Sequence, residues 1–364
     1  MAILDQARPS TNGRAAGLDA PPLHARLGLS RAQVLELYEI MCLARATDER
    51  QWLLNRQGRQ AFHISCQGHE GASAGSAFAL EPGRDVMVPY YRSLAACLAF
   101  GMTPRDVLLA SLGKADDPST SGRQMPAHPG PPRLKILTSG SSVATQIPHA
   151  SGAALASKIR GDGAVTIVYF GDGATSKGDF HEGLNFAAIH KLPVIFVCEN
   201  NHLAISVPTQ RQMAVASVAD RAPGYGMAGV NVDGTDALAV YAAVRDAAAR
   251  ARAGDGPTLV DANVVRITPH SSDDDDRRYR SEGDRAAAKE HDPIRRFRDY
   301  LFERDLLDMA GDQSIWERVR ASVDQAVLEA EQAPFPEPAS AFDQVYADRR
   351  MADPKQQLRA GWPR

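Results

Sequence analysis

The sequence predicts an α/β protein, a doubly wound and mostly parallel sheet with helical N- and C-terminal extensions. Three observations predict it. Two β-branched and aromatic runs, residues 164–170 (AVTIVYF) and 193–198 (PVIFVC), are apolar at nearly every position. Strands that alternate cover one face, whereas strands apolar throughout are buried on both, as in parallel sheets. Between the runs, residues 179–190 place Phe180, Leu184, Ala187 and Ala188 on one helical face, so the order is strand, helix, strand. Such a βαβ unit joined by short links makes its two strands parallel. Beyond Asp292 the periodicity becomes helical throughout.

The elements follow in order. Residues 1–28 are rich in Ala, Pro, Gly and Arg and read as a tail, disordered or wrapped on a partner. They lack the apolar core of a secretory signal, and Asp5 and Asp19 argue against an acid-poor transit peptide. Residues 29–290 form the main α/β domain. Within it, 30–56 is a helix: Ser30 suits the N-cap, and Val34, Leu35, Tyr38, Met41, Cys42 and Leu43 recur at helical spacing. The glycine-rich stretch 68–75 suits a helix packed closely against backbone. Residues 104–112 read as a short helix, and 114–132, rich in Asp, Ser, Gly and Pro, as a long loop of the kind that usually carries function. Residues 238–253 are an Ala-rich helix ended by Gly254, and 259–267 a third strand. Residues 291–364 form a helical extension, with amphipathic stretches at 294–302 and 315–333, broken by Pro334, Pro336 and Pro338.

Composition narrows the function. The chain carries 41 Lys and Arg against 44 Asp and Glu, a formal charge of −3, so no basic excess marks a nucleic-acid or membrane-surface binder. No apolar run reaches the roughly 18 residues of a membrane span. The four cysteines, Cys42, Cys66, Cys97 and Cys198, are widely spaced. That excludes a CxxC metal or redox pair and fits the reducing cytoplasm.

The chemistry lies at the strand ends. Gly171-Asp172-Gly173-Ala174 follows the first strand directly, and Glu199-Asn200-Asn201 the second. Residues 174–199, between them, are the length of one crossover helix and one strand. Both groups therefore sit at the carboxyl ends of neighbouring parallel strands, where open α/β sheets bind ligands. Mg²⁺ takes oxygen ligands and commonly shares them with phosphates. Asp172 offers a carboxylate, Asn201 an amide oxygen, and Leu203 a backbone carbonyl. The flanking glycines let backbone approach a diphosphate, and the next helix would point its N-terminus at the anion. A Rossmann fingerprint fails at Ser176, where its third glycine belongs, and no P-loop string occurs. On these residues alone, a nucleotide-binding oxidoreductase and a non-catalytic assembly subunit stay open. In the latter both groups would be mere turns.

Gly171-Asp-Gly with Asn200-Asn201 resembles the thiamine diphosphate motif. It stands with Gly122-Arg-Gln-Met-Pro, Ala144-Thr-Gln-Ile-Pro, Gly224-Tyr-Gly, Val232-Asp-Gly and His270-Ser-Ser-Asp-Asp, in that order. From about Leu29 to about Tyr346 the chain resembles the α subunits of the branched-chain 2-oxoacid dehydrogenases. The resemblance implies a thiamine diphosphate-binding fold and decarboxylation of a small 2-oxo acid, with transfer of the acyl group to a lipoyl-bearing acyltransferase. Pyruvate and acetoin are the alternative substrates within the same chemistry.

The resemblance also implies roles. Tyr91 and Arg92 would grip the diphosphate, a task suited to the planar guanidinium. Gly171, Gly173 and Ala174 would cradle the cofactor, and Ser141 and Val143 would meet its aminopyrimidine. Asp172, Asn201 and the Leu203 carbonyl would bind Mg²⁺, and residues 141–146 match a monovalent-cation loop. His270 would stand beside the reacting centre, giving and taking protons near neutrality. Asp273 to Asp276 would order its loop by pairing with Arg277, Arg278 and Arg280, and Ser271 matches a position phosphorylated in eukaryotic relatives. The carboxylate that the cofactor's pyrimidine needs would come from a separate β subunit in an α₂β₂ assembly. Three positions depart from the pattern, of which Leu203 would act through its backbone, so that its identity matters less. Glu199 stands where some relatives carry an Arg toward the diphosphate, and Tyr90, on the expected substrate side, also differs.

Overall fold

The two apolar runs predicted as strands lie at the centre of a five-stranded sheet. The computed structural model describes residues 21–138 and 140–343. Its strands are β1 (Val86–Val88), β2 (Thr166–Gly171), β3 (Val194–Asn200), β4 (Leu203–Ala204), β5 (Val207–Pro208), β6 (Ala228–Asp233) and β7 (Thr258–Asn263). The sheet order is β1-β2-β3-β7-β6, and every neighbouring pair is parallel. β4 and β5 form a separate antiparallel hairpin.

Side chains alternate across a strand, so the continuous apolar runs feed two cores at once. Ile167, Tyr169, Ile195, Val197, Val260 and Ala262 pack on one side with Val240, Val244 and Ala247 of the helix Ala237–Arg252. Val168, Phe170, Val194, Phe196 and Leu259 pack on the other. There they meet Ile147, Ala150 and Ala154 of the helix Gln146–Arg160, and Phe180, Leu184 and Ala187 of the helix Gly178–Ile189. The sheet is covered on both faces.

The helix Arg31–Arg56 starts where the sequence predicts, with Ser30 and Gln33 closing a capping box. Its buried stripe packs with the helices Pro293–Glu303 and Met309–Gln332, so the C-terminal helices complete a layer against the same body. The glycine-rich stretch behaves as expected. In the helix Glu70–Phe78, a Cβ on Gly75 would lie 2.4 Å from the Ala237 carbonyl oxygen, and one on Gly71 2.8 Å from that of Gly234.

Several elements differ from the prediction. The strand expected at 259–267 ends at Asn263, with Val264 N still donating to the Asn200 carbonyl (2.9 Å); further on the chain leaves the sheet, and Ile267 N donates to the Gln67 carbonyl (3.2 Å). β1 is too short and β6 too polar to be read as apolar runs. The helix Gln146–Arg160 carries Pro148 in its first turn, where a missing N–H costs nothing. The loop 114–132 is ordered by Asp117, whose carboxylate accepts from the backbone of Ser119, Thr120 and Gly122. Of the expected tail, residues 21–28 include the helix Leu23–Arg26, tied to the body by His24 Nδ1 and Tyr300 OH at 2.7 Å. Residues 1–20, and 344–364 of the C-terminal extension, lie outside the described residues. Among the described residues no helix is long and apolar enough to cross a membrane.

Candidate active site

Four adjacent strands deliver the site. At their carboxyl ends, β1 leads to Tyr90-Tyr91-Arg92, β2 to Gly171-Asp172, β3 to Asn200-Asn201, and β7 to the segment that reaches His270. These ends open on a cavity of about 570 Å³, the size of a small-molecule site. It is lined by all eleven residues singled out above: Tyr91, Arg92, Ser141, Val143, Gly171, Asp172, Gly173, Ala174, Asn201, Leu203 and His270.

Asp172 is buried at the start of a 3₁₀ turn, Asp172–Ser176, closed by Thr175 Oγ1 donating to the Asp172 carbonyl (2.8 Å). The helix predicted over 179–190 starts at Gly178, and the 3₁₀ turn before it brings Lys177, with Asp179, to the cavity. Burial raises the Asp172 carboxyl to about 6, against the opposing hydrogen bond from Gln212 Nε2 (2.7 Å). Only one flanking glycine is sterically required. A Cβ on Gly173 would sit 2.8 Å from the Ala204 Cβ, so Gly173 admits the β4–β5 hairpin, while Gly171 has ordinary room.

Asn201 spans the hairpin base. Its Oδ1 accepts from Leu203 N (3.2 Å) and its Nδ2 lies 3.3 Å from His69 Nε2. Leu203 pairs with Pro208, which has no N–H to give, so that partner leaves the Leu203 carbonyl unused. A carboxylate, an amide oxygen and a carbonyl are hard donors that fit Mg²⁺ completed by phosphate oxygens.

Arg92 is fully buried and stacks over Tyr91 at 5.3 Å. It donates to the Ser65 carbonyl, to the His270 carbonyl (2.9 Å) and to His270 Nδ1 (3.0 Å). Arginine only donates, so Nδ1 accepts and the His270 ring carries its proton on Nε2. Burial, then the charges of Arg92 and Arg266, push His270 down to about 3. This corrects the expectation of a group titrating near neutrality: His270 is a neutral imidazole here.

Its loop is ordered as expected, though not by every pair. Arg280 meets Asp276 at 3.0 Å in a buried bridge, and Arg277 meets Asp275 at 2.7 Å in an exposed one. Asp274 instead accepts from His270 N (2.8 Å) and from the Tyr279 hydroxyl, which also accepts from Arg266 (2.9 Å). Ser272 N donates to the His63 carbonyl (2.8 Å), docking the loop on residues 63–67. Ser141 bonds His128 Nε2 (2.8 Å), and Val143 stays 44% exposed at the mouth.

Residues 38–339 match the family described as dehydrogenase E1 component. The chain belongs to the dehydrogenase E1 component family. It is 50% identical over 324 residues to the 2-oxoisovalerate dehydrogenase subunit alpha of Bacillus subtilis (strain 168), covering 89% of this chain and 98% of that protein. The mitochondrial 2-oxoisovalerate dehydrogenase subunit alpha of Homo sapiens is 39% identical, across 90% of this chain and 74% of its own length. The pyruvate dehydrogenase E1 component subunit alpha of Staphylococcus aureus (strain Mu50 / ATCC 700699) is 37% identical, across 95% and 88%.

In this E1 component Glu199 is fully buried and accepts from His69 Nδ1 (2.8 Å), the Tyr90 hydroxyl (2.8 Å) and Ser73 Oγ. Its carboxylate faces the interior, which agrees with its departure from the Arg pattern. Tyr90 lines the cavity, and its hydroxyl is turned into this network. Sequence reasoning missed Gln212, His69, Arg266 and Asp48, all polar residues behind the cavity wall. Only Asp48 left a signal: with Arg45 it falls on the buried stripe of its helix.

Proposed function

We propose that this E1 component is the α subunit of a branched-chain 2-oxoacid dehydrogenase that works with thiamine diphosphate and Mg²⁺. The observation that carries the proposal is the convergence of all eleven residues on one cavity at the carboxyl ends of four parallel strands. The branched acid is favoured over pyruvate by the 50% identity to a 2-oxoisovalerate enzyme, against 37% to a pyruvate enzyme.

Thiamine diphosphate, when bound, supplies the electron sink for decarboxylation. The chain supplies the rest. Asp172, Asn201 and the Leu203 carbonyl would hold Mg²⁺, and Arg92 and Tyr91 the diphosphate. Gly171, Gly173 and Ala174 would floor the site, with Ser141 and Val143 against the aminopyrimidine. His270, fixed as the Nε2–H tautomer by Arg92, would donate a hydrogen bond at the reacting centre. The docked 270–281 loop would exclude water.

The cavity is incomplete in a way that fits a β partner. Asp172 and Asp179 are its only carboxylates among the described lining residues, and no glutamate is available for a pyrimidine nitrogen. Its lining also exposes Val143 and Ile205. We assign it an α₂β₂ assembly that acylates a lipoyl-bearing acyltransferase. The four buried free thiols suit the cytoplasm.

The test is decarboxylation by the chain co-purified with its β partner, with thiamine diphosphate and Mg²⁺, comparing 3-methyl-2-oxobutanoate with pyruvate. Preference for the branched acid is expected, and preference for pyruvate would move the chain to the pyruvate branch. Asp172→Ala is expected to abolish Mg²⁺-dependent cofactor binding, and unchanged affinity would sink the metal assignment.

A further inference from the structure

Behind the cavity floor lies a group of polar side chains that the proposed chemistry does not use. His69 is fully buried, with Nδ1 2.8 Å from Glu199 Oε2 and Nε2 3.3 Å from Asn201 Nδ2. Glu199 is fully buried as well and also takes the Ser73 and Tyr90 hydroxyls. Neither His69 nor Glu199 lines the cavity, whereas Asn201 does.

Donor and acceptor counting orders this chain. A carboxylate only accepts, so His69 carries its hydrogen on Nδ1 and presents a bare Nε2 to Asn201. A bare ring nitrogen takes a donor, so it must face the Asn201 amide nitrogen. A second constraint agrees: Leu203 N–H, 3.2 Å away, needs the amide oxygen at the other end. An asparagine amide can turn over at little steric cost, and each orientation presents a different atom to a neighbour. Here both neighbours choose the same one. The Oδ1 keeps a second lone pair, and the turned-over amide would offer N–H groups in its place, which repel a cation.

We propose that His69, clamped by Glu199, is a positioning residue that locks the Asn201 amide with its oxygen toward the cation position beside Asp172. The proposal rests on the reading of Asp172, Asn201 and Leu203 as cation ligands. Partners behind a metal ligand orient it and govern affinity without touching the ion. His69 does so through tautomer choice, and Glu199 sets the tautomer.

The test titrates Mg²⁺ into the complex with its β partner in the presence of thiamine diphosphate, following quenching of intrinsic fluorescence. The variants are His69→Leu, Asn201→Asp and the two combined, with Asn201→Ala as reference. In the Asn201 background, His69→Leu is expected to raise the Mg²⁺ half-saturation concentration about 10–100-fold. In the Asn201→Asp background both ends of the side chain are oxygen, so the same change is expected to cost less than about threefold. A merely structural His69 would cost the same factor in both, and equal factors overturn the proposal. If Asn201→Ala destroys Mg²⁺ dependence while His69→Leu does not, this proposal fails and the ligand reading survives. If Asn201→Ala leaves Mg²⁺ dependence intact, the ligand reading fails and this proposal with it. Histidine ¹⁵N shifts of the unsubstituted complex give a readout that no folding defect can confuse. The Nδ1–H tautomer is expected at His69, and Nε2–H overturns the proposal.

Discussion

Asp48→Ala tests how the site is held from behind. Asp48 is fully buried in the helix Arg31–Arg56. Its Oδ1 accepts from His63 Nε2 (3.1 Å) and Cys66 N (2.8 Å), and its Oδ2 from Ser65 Oγ (2.8 Å) and Gln67 Nε2 (2.9 Å). The segment it gathers, 63–67, presents the Ser65 carbonyl to Arg92, the His63 carbonyl to Ser272 and the Gln67 carbonyl to Ile267. One carboxylate therefore secures the wall on which both Arg92 and the His270 loop rest. Alanine leaves four buried donors without this acceptor, at about 1–3 kcal/mol for each that stays unpaired. Removing a buried charge recovers part of that, so the net loss is about 3–5 kcal/mol, as for breaking one side of a buried ion pair. At roughly 2 °C per kcal/mol for a large chain, melting should fall by roughly 6–10 °C. Calorimetry reads the melting point, and limited proteolysis should cut the 271–281 segment faster. Melting within about 2 °C of the unsubstituted chain, with unchanged proteolysis, would refute the reasoning.

Gly75→Ala drives a Cβ to within 2.4 Å of the Ala237 carbonyl oxygen, which is backbone and cannot yield cheaply. It should cost about 1–3 kcal/mol in thermal unfolding, and an unchanged melting point would show that the two helices can separate freely. His270 carries the pH dependence. Its folded value, about 3, lies below the ordinary histidine value of 6.5, so between these the unfolded loop binds more protons than the folded one. Its contribution is present above about 6.5 and lost as pH falls through that window. Proteolysis of the loop in the cofactor-free complex should speed up from pH 7.5 to pH 5, and an NMR titration of His270 above pH 6 would contradict the geometry. Arg92→Met, which removes one of the charges that depress it, should shift the titration upward.

The sheet's centre was legible because burial on both faces leaves an unmistakable trace. β2 and β3 are apolar at successive positions, and their ends fix where Asp172 and Asn201 stand. The sheet's edges left no such trace. β6 alternates between partly buried and exposed positions, since only one strand flanks it, and β1 contributes three residues. The turn Asp172–Ser176, between β2 and the helix, left no trace either, because a strand-to-helix link can take a 3₁₀ path that periodicity does not reveal. The neutral state of His270 was equally hidden. It depends on Arg92 and Arg266, which lie 178 and 4 positions away in the chain and meet it only through the fold.

The residues that touch the cavity and those that hold them obey different constraints, and this explains what was missed. A cation or a diphosphate restricts its ligands to a few residue types at strand ends, so Asp172, Asn201 and Arg92 stand out in a bare sequence. The layer behind is restricted only by pairing. His69 and Glu199 are 130 positions apart, and nothing in either neighbourhood announces the other. Arg45 and Asp48 are the exception that shows the rule. They occupy the same helical stripe as Val34, Leu37, Tyr38 and Met41, where a charge is costly unless partnered. The partners are Glu70 and Asp292 for Arg45, and His63, Ser65 and Gln67 for Asp48. A charge on an apolar stripe thus predicts that a partner exists, though not which residue supplies it. A substitution in this hidden layer can therefore disturb the cation position or the His270 loop while every cavity-lining residue stays in place.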